Sequence, residues 1–98
     1  MKVVYKNKNL EKICTNAQAA RETYGAENAK KIKQRLGEIT ASPNAQYMVA
    51  NRLGRCHPLK GNRKGQFAVD LVHPFRLIFH EENGAIVIAK IEEIVNYH

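Results

Sequence analysis

Apolar residues recur at three- and four-residue steps through the first half of the chain and at alternate positions through the second. Val3, Val4 and Tyr5 favour extended backbone, so Lys2 to Tyr5 is a short strand candidate. Asn7 or Asn9 can cap the helix that follows. There Leu10, Ile13, Cys14, Ala17, Ala20 and Tyr24 make one apolar stripe, which predicts a single helix ending at Gly25. A second helix is expected from about Ala26 to Ala41. It buries Ala29, Ile32, Leu36 and Ile39 and turns Lys30, Lys31, Lys33 and Arg35 outward, and Ser42-Pro43 stops it. The two helices are expected to pair as an antiparallel hairpin. In the segment from Asn44 to Asn51, Tyr47, Met48 and Val49 need some burial, through one helical turn.

The apolar period then changes to two. Phe67, Val69 and Leu71 alternate with Gln66, Ala68 and Asp70, and Phe75, Leu77 and Phe79 alternate with Arg76, Ile78 and His80. Val72-His73-Pro74 reads as the turn between them. Asn83-Gly84 predicts a tight hairpin turn, because both residues tolerate positive φ. The last strand runs from Ala85 to about Val95. If the apolar set of these strands faces the helices, Arg76 stands on the opposite, open face of the sheet. The pattern as a whole predicts one α+β domain over residues 1–98, with an N-terminal strand and a two-helix hairpin packed on a small twisted antiparallel sheet.

Charge narrows what such a domain meets. The formal net charge is +7. Residues 1–65 carry 14 Lys and Arg against 4 Asp and Glu, and residues 66–98 carry 2 against 5. A cationic surface of this kind favours a polyanion, through release of the counterions around phosphates. Lys30, Lys31, Lys33 and Arg35 admit two readings, a phosphate grip and a solvated helix face. Cys14 and Cys56 show neither a paired-cysteine spacing nor a zinc-type pairing with histidine, so no metal site and no cofactor is expected. The N-terminus lacks a hydrophobic signal core, and no apolar run reaches transmembrane length. A cytoplasmic setting with no membrane partner is the expectation.

One stretch concentrates the chemistry. His57-Pro58-Leu59-Lys60-Gly61-Asn62-Arg63-Lys64-Gly65 brings an imidazole, three cations and two glycines together where the helical half meets the strands. The glycines favour a tight, exposed turn. Downstream stand Arg76-Leu77-Ile78-Phe79 and the closing Asn96-Tyr97-His98.

In their order and spacing these motifs resemble the HigB branch of the RelE/ParE toxins of bacterial type II toxin–antitoxin systems. The resemblance covers roughly the last 40% of the chain. It implies a small α+β toxin that enters the ribosomal A site and cuts messenger RNA. The implied partners are a HigA-like helix-turn-helix antitoxin, the 70S ribosome and the message. The family's functional positions, carried over, are His57, Arg76, Tyr97 and His98. The family commonly ends in Asp-Tyr-His, whereas this chain has Asn96 in place of the acid. An amide cannot carry a proton as a carboxylate does. The same superfamily also implies a ParE-like gyrase inhibitor, and a third reading is a non-catalytic RNA-binding module of the same fold.

Metal-independent cleavage of RNA needs a base for the 2′-hydroxyl, an acid for the 5′-oxygen, and cations for the charge gathered on phosphorus. His57 and His98 are the candidate base and acid, in either order, and Lys60 and Arg76 the phosphate stabilisers. Tyr97 can stack on a base. Arg55, Arg63, Lys64 and Asn96 are expected to contact RNA. Each also has a purely structural role open to it. His57 can begin a turn, Arg76 can pair with Asp70 or Glu92, Tyr97 can pack on the sheet edge, His98 can fray, and Lys60 can be a solvated turn cation. His73 and His80 are read as turn or surface residues.

Overall fold

Asparagines start three of the helices. The side chains of Asn7, Asn16 and Asn44 accept hydrogen bonds from the backbone N–H of Leu10 (2.8 Å), Ala19 (3.1 Å) and Tyr47 (2.8 Å). The computed structural model describes residues 1–97. In chain order it has β1 (Lys2–Tyr5), α1 (Lys8–Thr15), α2 (Ala17–Tyr24), α3 (Ala26–Ala41), α4 (Ala45–Ala50), β2 (His57–Pro58), β3 (Gln66–Asp70), β4 (Phe75–Asn83) and β5 (Val87–Asn96). Single helical turns at Leu53–Arg55 and Gly61–Arg63 flank β2.

The helix expected up to Gly25 is therefore two helices. Asn16 has extended backbone, closes α1 through its N–H to the Lys12 carbonyl, and caps α2 with its side chain. The break rotates the second half of the stripe, so Ala19 and Ala20 are buried while Ala17 is exposed. Periodicity missed it because the three- and four-residue steps continue across the cap. The second helix matches its expected bounds, but Arg35 does not join the solvated face. It is buried, donates from Nε to the Asp70 carbonyl (2.6 Å), and pairs with Glu38 (3.0 Å). The expected turn at 44–51 is α4, which buries Met48 and leaves Tyr47 outside.

The sheet has the order β1-β5-β4-β3-β2. The fold is α+β as expected, but the sheet is mixed: β1 runs parallel to β5 and the other pairs are antiparallel. The reason lies in the chain path. β1 is separated from β5 by all the helices, and such a crossover permits parallel pairing where a tight hairpin does not. On the helix side Leu10, Ile13, Ile32 and Ile39 pack against Val69, Leu77, Phe79, Ala89 and Ile91. The Phe67 and Phe79 rings stack at 5.6 Å between centroids. The β4–β5 loop spans Gly84 to Ile86, and neither Asn83 nor Gly84 has positive φ, unlike the tight turn expected there.

Two features shape the opposite face. First, Ala68 and Ile78 are also fully buried. The strand register aligns His57, Ala68, Ile78 and Glu93 in one row across the sheet. Arg63 is ion-paired with Glu93 and donates to Gln66 (2.8 Å), so its guanidinium bridges β3 and β5 on this face. Second, the β4–β5 register shifts at Ile78/Phe79, which makes Glu92 an extra residue. The bulge places Glu92 beside Glu93, where it meets His80 (2.5 Å) and Lys6 (3.8 Å). The face expected to be open is thus closed at its middle and opens only at the Asp70–Arg76 end.

Candidate functional site

The open end is built by four segments. The chain leaves α4 through Arg52, with φ 54°, Gly54, with φ 57°, and Arg55, with φ 54°. Left-handed backbone is uncommon outside glycine, and here two of three such residues are arginines. The turn ends in Cys56, buried, and hands the chain to His57 at the start of β2. β3 contributes Asp70, β4 contributes Arg76, and the residue after β5 contributes Tyr97.

Gly54 is held by its neighbour as well as by its φ. A Cβ there would lie 2.6 Å from Nε and 2.7 Å from Cδ of Arg35. That same Nε grips the backbone of Asp70. Arg35 therefore ties α3, the left-handed turn and β3 into one unit. Gly54→Ala is expected to destabilise the protein by about 1–3 kcal/mol, since it adds left-handed strain and displaces a buried guanidinium. For a chain of this size that is a melting temperature lower by roughly 4–8 °C per kcal/mol. An unchanged melt would show that the turn can be rebuilt without this packing.

At the site, the Asp70 carboxylate lies 3.4 Å from Nε of Arg55 and 3.4 Å from Nε of Arg76. The Arg76 guanidinium carbon sits 4.8 Å from the centroid of the Tyr97 ring. The N–H of Tyr97 donates to the Pro74 carbonyl (3.0 Å), which fixes Tyr97 beside Arg76. His57 Nδ1 lies 2.9 Å from the Arg55 carbonyl. A carbonyl only accepts, so Nδ1 carries the hydrogen and Nε2 is left to take or give a proton.

Arg55 and Arg76 line two cavities. One, of about 120 Å³, is completed by Asp70, Leu71, His73, Pro74, Phe75 and Tyr97. The other, of about 400 Å³, is completed by Val49, Arg52, Cys56 and His57. The two arginines are the wall between an aromatic side and an imidazole side. A third, apolar cavity, about 390 Å³, lies between α1, α2 and α3 and shares none of these groups. Burial pushes the thiols of Cys14 and Cys56 up to about 12, so neither is a ready nucleophile. Among the described residues no group of three His, Cys, Asp or Glu is placed to hold a metal, and no helix is long and apolar enough to cross a membrane.

Of the residues singled out in the sequence, the structure brings together His57, Arg55, Arg76 and Tyr97. Arg76 does make the ion pair with Asp70 that was its structural alternative, yet it also borders both cavities. Lys60 and Lys64 are exposed on the loop between β2 and β3, line neither cavity, and make no side-chain bond among the described residues. The guanidinium of Arg63 is taken by Glu93 and Gln66. Asn96 is exposed at the end of β5, opposite Phe75. His98 lies outside the described residues. Sequence reasoning did not single out Arg52 for the site, and it read Asp70 only as a partner for Arg76. The available signal was Gly54 between two arginines, a sign of positive φ that would turn their side chains toward a common side.

No protein-family model matches this sequence, and no curated protein matches it. A solved structure does, the "YoeB/ParE toxin from Agrobacterium tumefaciens", with 16% identity over 100% of both chains and a TM-score of 0.71. The chain accordingly has a RelE/ParE-like fold, the fold that the motif resemblance implied, and the match does not single out the HigB branch.

Proposed function

We propose that this chain is the toxin of a type II toxin–antitoxin pair, a cytoplasmic endoribonuclease that cuts messenger RNA in the ribosomal A site. One observation carries the reading: His57, Arg55, Arg76 and Tyr97, from three separate segments, border two cavities with a common arginine wall. The scissile phosphate rests on Arg55 and Arg76, whose guanidinium forks suit phosphate oxygens. An imidazole takes the proton of the 2′-hydroxyl as that oxygen attacks phosphorus. A second acid returns a proton to the departing 5′-oxygen, which leaves a cyclic phosphate on one fragment and a hydroxyl on the other. His57, through Nε2, and His98 divide these two tasks. Tyr97 stacks on a neighbouring base. Lys60 and Lys64 reach toward the strand or ribosomal RNA from the β2–β3 loop. The partner that silences the toxin is a helix-turn-helix antitoxin of the HigA kind.

Primer extension on transcripts from cells expressing the chain tests this. Cuts at codon spacing on translated messages are the expected result. Intact messages together with arrested replication would replace it with a gyrase-inhibiting toxin, a reading favoured by the ParE in the name of the solved structure.

Asn96 gives a second test. A carboxylate beside the terminal Tyr97-His98 pair would orient an imidazole and stabilise its protonated form. Asn96→Asp is expected to raise the cleavage rate by about tenfold or more. Asn96 is exposed at a strand end, so the change should not disturb folding. A rate that does not move would show that the amide costs this chain nothing.

A further inference from the structure

We propose that the cavity of Arg52, Arg55, His57 and Arg76 is a second phosphate subsite. It takes the phosphate adjacent to the cleaved linkage on the same RNA strand, with Arg52 as its dedicated contact. The proposal rests on the reading of the Arg55–Arg76 wall as the seat of the scissile phosphate.

Charge is the first argument. The cavity, about 400 Å³, is lined by three guanidinium groups and an imidazole, with Val49 and Cys56 completing it and no carboxylate in the lining. The nearest counter-ion, Asp70, faces the smaller cavity on the other side of the wall and is already shared between Nε of Arg55 and Nε of Arg76. The Arg52 side chain has no hydrogen bond or ion pair among the described residues, and it is exposed. Nothing in the packing calls for an arginine there. Like charges set side by side repel, and an anion relieves the repulsion.

Backbone is the second argument. Arg52 and Arg55 both hold left-handed φ of 54°, where Gly, Asn or Asp would be at ease. An outlier of this sort points toward function when no packing reason accounts for it. Gly54 has its packing reason in Arg35. Arg52 follows the α4 cap Asn51, where its N–H donates to the Val49 carbonyl (3.2 Å) and left-handed backbone is common, but Gly or Asn is the usual occupant of such a place. The effect of the turn is to bring two arginines three positions apart to one cavity.

Continuity is the third. Because Arg55 and Arg76 border both cavities, a ligand on the wall extends into each. On one side is the exposed ring of Tyr97, which offers a stacking surface. On the other is a pocket that is cationic and, apart from Val49 and Cys56, polar. A strand that puts a base on Tyr97 and its linkage on the wall meets Arg52 with its next phosphate, since a single strand repeats one phosphate per nucleotide.

The test uses 2′-O-methyl dinucleotides, which cannot be cut, so it reads binding apart from chemistry. Three are titrated into the full chain by NMR: one without a terminal phosphate, one with a 5′-phosphate and one with a 3′-phosphate. One phosphorylated form should bind about 5- to 20-fold tighter than the plain form, as expected for a charge-assisted contact. Arg52→Asn should erase that gain, leave the plain form unaffected, and lower the salt dependence by about one phosphate. Asn tolerates the left-handed backbone, so the turn and His57 stay in place. Arg52→Lys should keep part of the gain.

Equal weakening of all three ligands by Arg52→Asn would overturn the subsite, as would a phosphate gain that survives the change. Inorganic phosphate competing as well as the dinucleotide would reduce the cavity to a simple ion site and overturn the strand reading. Absence of cleavage in the primer-extension experiment, with the Arg52-dependent gain present, would remove the nuclease but leave the subsite standing.

Discussion

Replacing His57 with Ala is expected to lower the rate of message cleavage about 100- to 10,000-fold and to relieve growth arrest in cells that express the chain. The expectation comes from the bond that the ring makes to the Arg55 carbonyl. Its Nδ1 donates to the Arg55 carbonyl, so Nε2 is the nitrogen left to exchange a proton. The same bond couples the imidazole to the left-handed turn, because the carbonyl belongs to the residue whose φ is 54°. Ala removes both the proton carrier and a hydrogen bond that water can replace, the bond being exposed. The fold should survive, which a thermal melt within a few degrees of the unaltered chain would show.

The same variant settles which proton His57 moves. A substrate with sulfur in place of the bridging 5′-oxygen has a leaving group that departs without protonation. If His57 is the acid, the His57→Ala defect shrinks on that substrate. If it is the base, the defect stays whole and His98 is left as the acid. Toxicity equal to that of the unaltered chain would take His57 out of the chemistry altogether.

Much of this site was legible because strands have a strict period. The alternation of Phe75, Leu77 and Phe79 with Arg76, Ile78 and His80 was enough to put Arg76 opposite the helices, and the register agrees. Ile78 went the same way and is nonetheless fully buried, on a face that a long-range pair, Arg63 with Glu93, crosses. Pairing across 30 positions leaves no mark in a local pattern. For the same reason Arg63 was read as an RNA contact when its charge is already engaged.

Arg35 shows the other limit. On a helical wheel it belongs with Lys30, Lys31 and Lys33, and only its partners at Asp70 and Gly54 explain its burial. Long-range contact overrode composition there, and it did so in order to fix the turn that carries Arg52, Arg55 and the His57 acceptor. Asn16 is a milder case. Its capping role is written in its side chain, but the apolar steps on either side hide the break.

Removal of Arg76 tests the division of labour between the arginines. Arg76→Ala is expected to cut kcat about 100- to 1,000-fold, the usual effect of deleting a preorganised donor to a developing anion. KM should move much less, since Arg55 and Arg52 still hold the ground-state phosphates. Arg76→Lys should recover only part of the loss. A point charge cannot lie flat over the Tyr97 ring at 4.8 Å while presenting a fork to phosphate. Stability should fall by about 1–2 kcal/mol at most, because the Asp70 pair and the aromatic contact are partly solvated. Asp70 keeps Arg55 as a partner, so no carboxylate is left unpaired. Arg52→Asn, by contrast, should act on binding and spare kcat. If Arg76→Ala instead raised KM and left kcat alone, the guanidinium would be holding the strand before reaction, and the charge on phosphorus in the transition state would have to fall to Arg55.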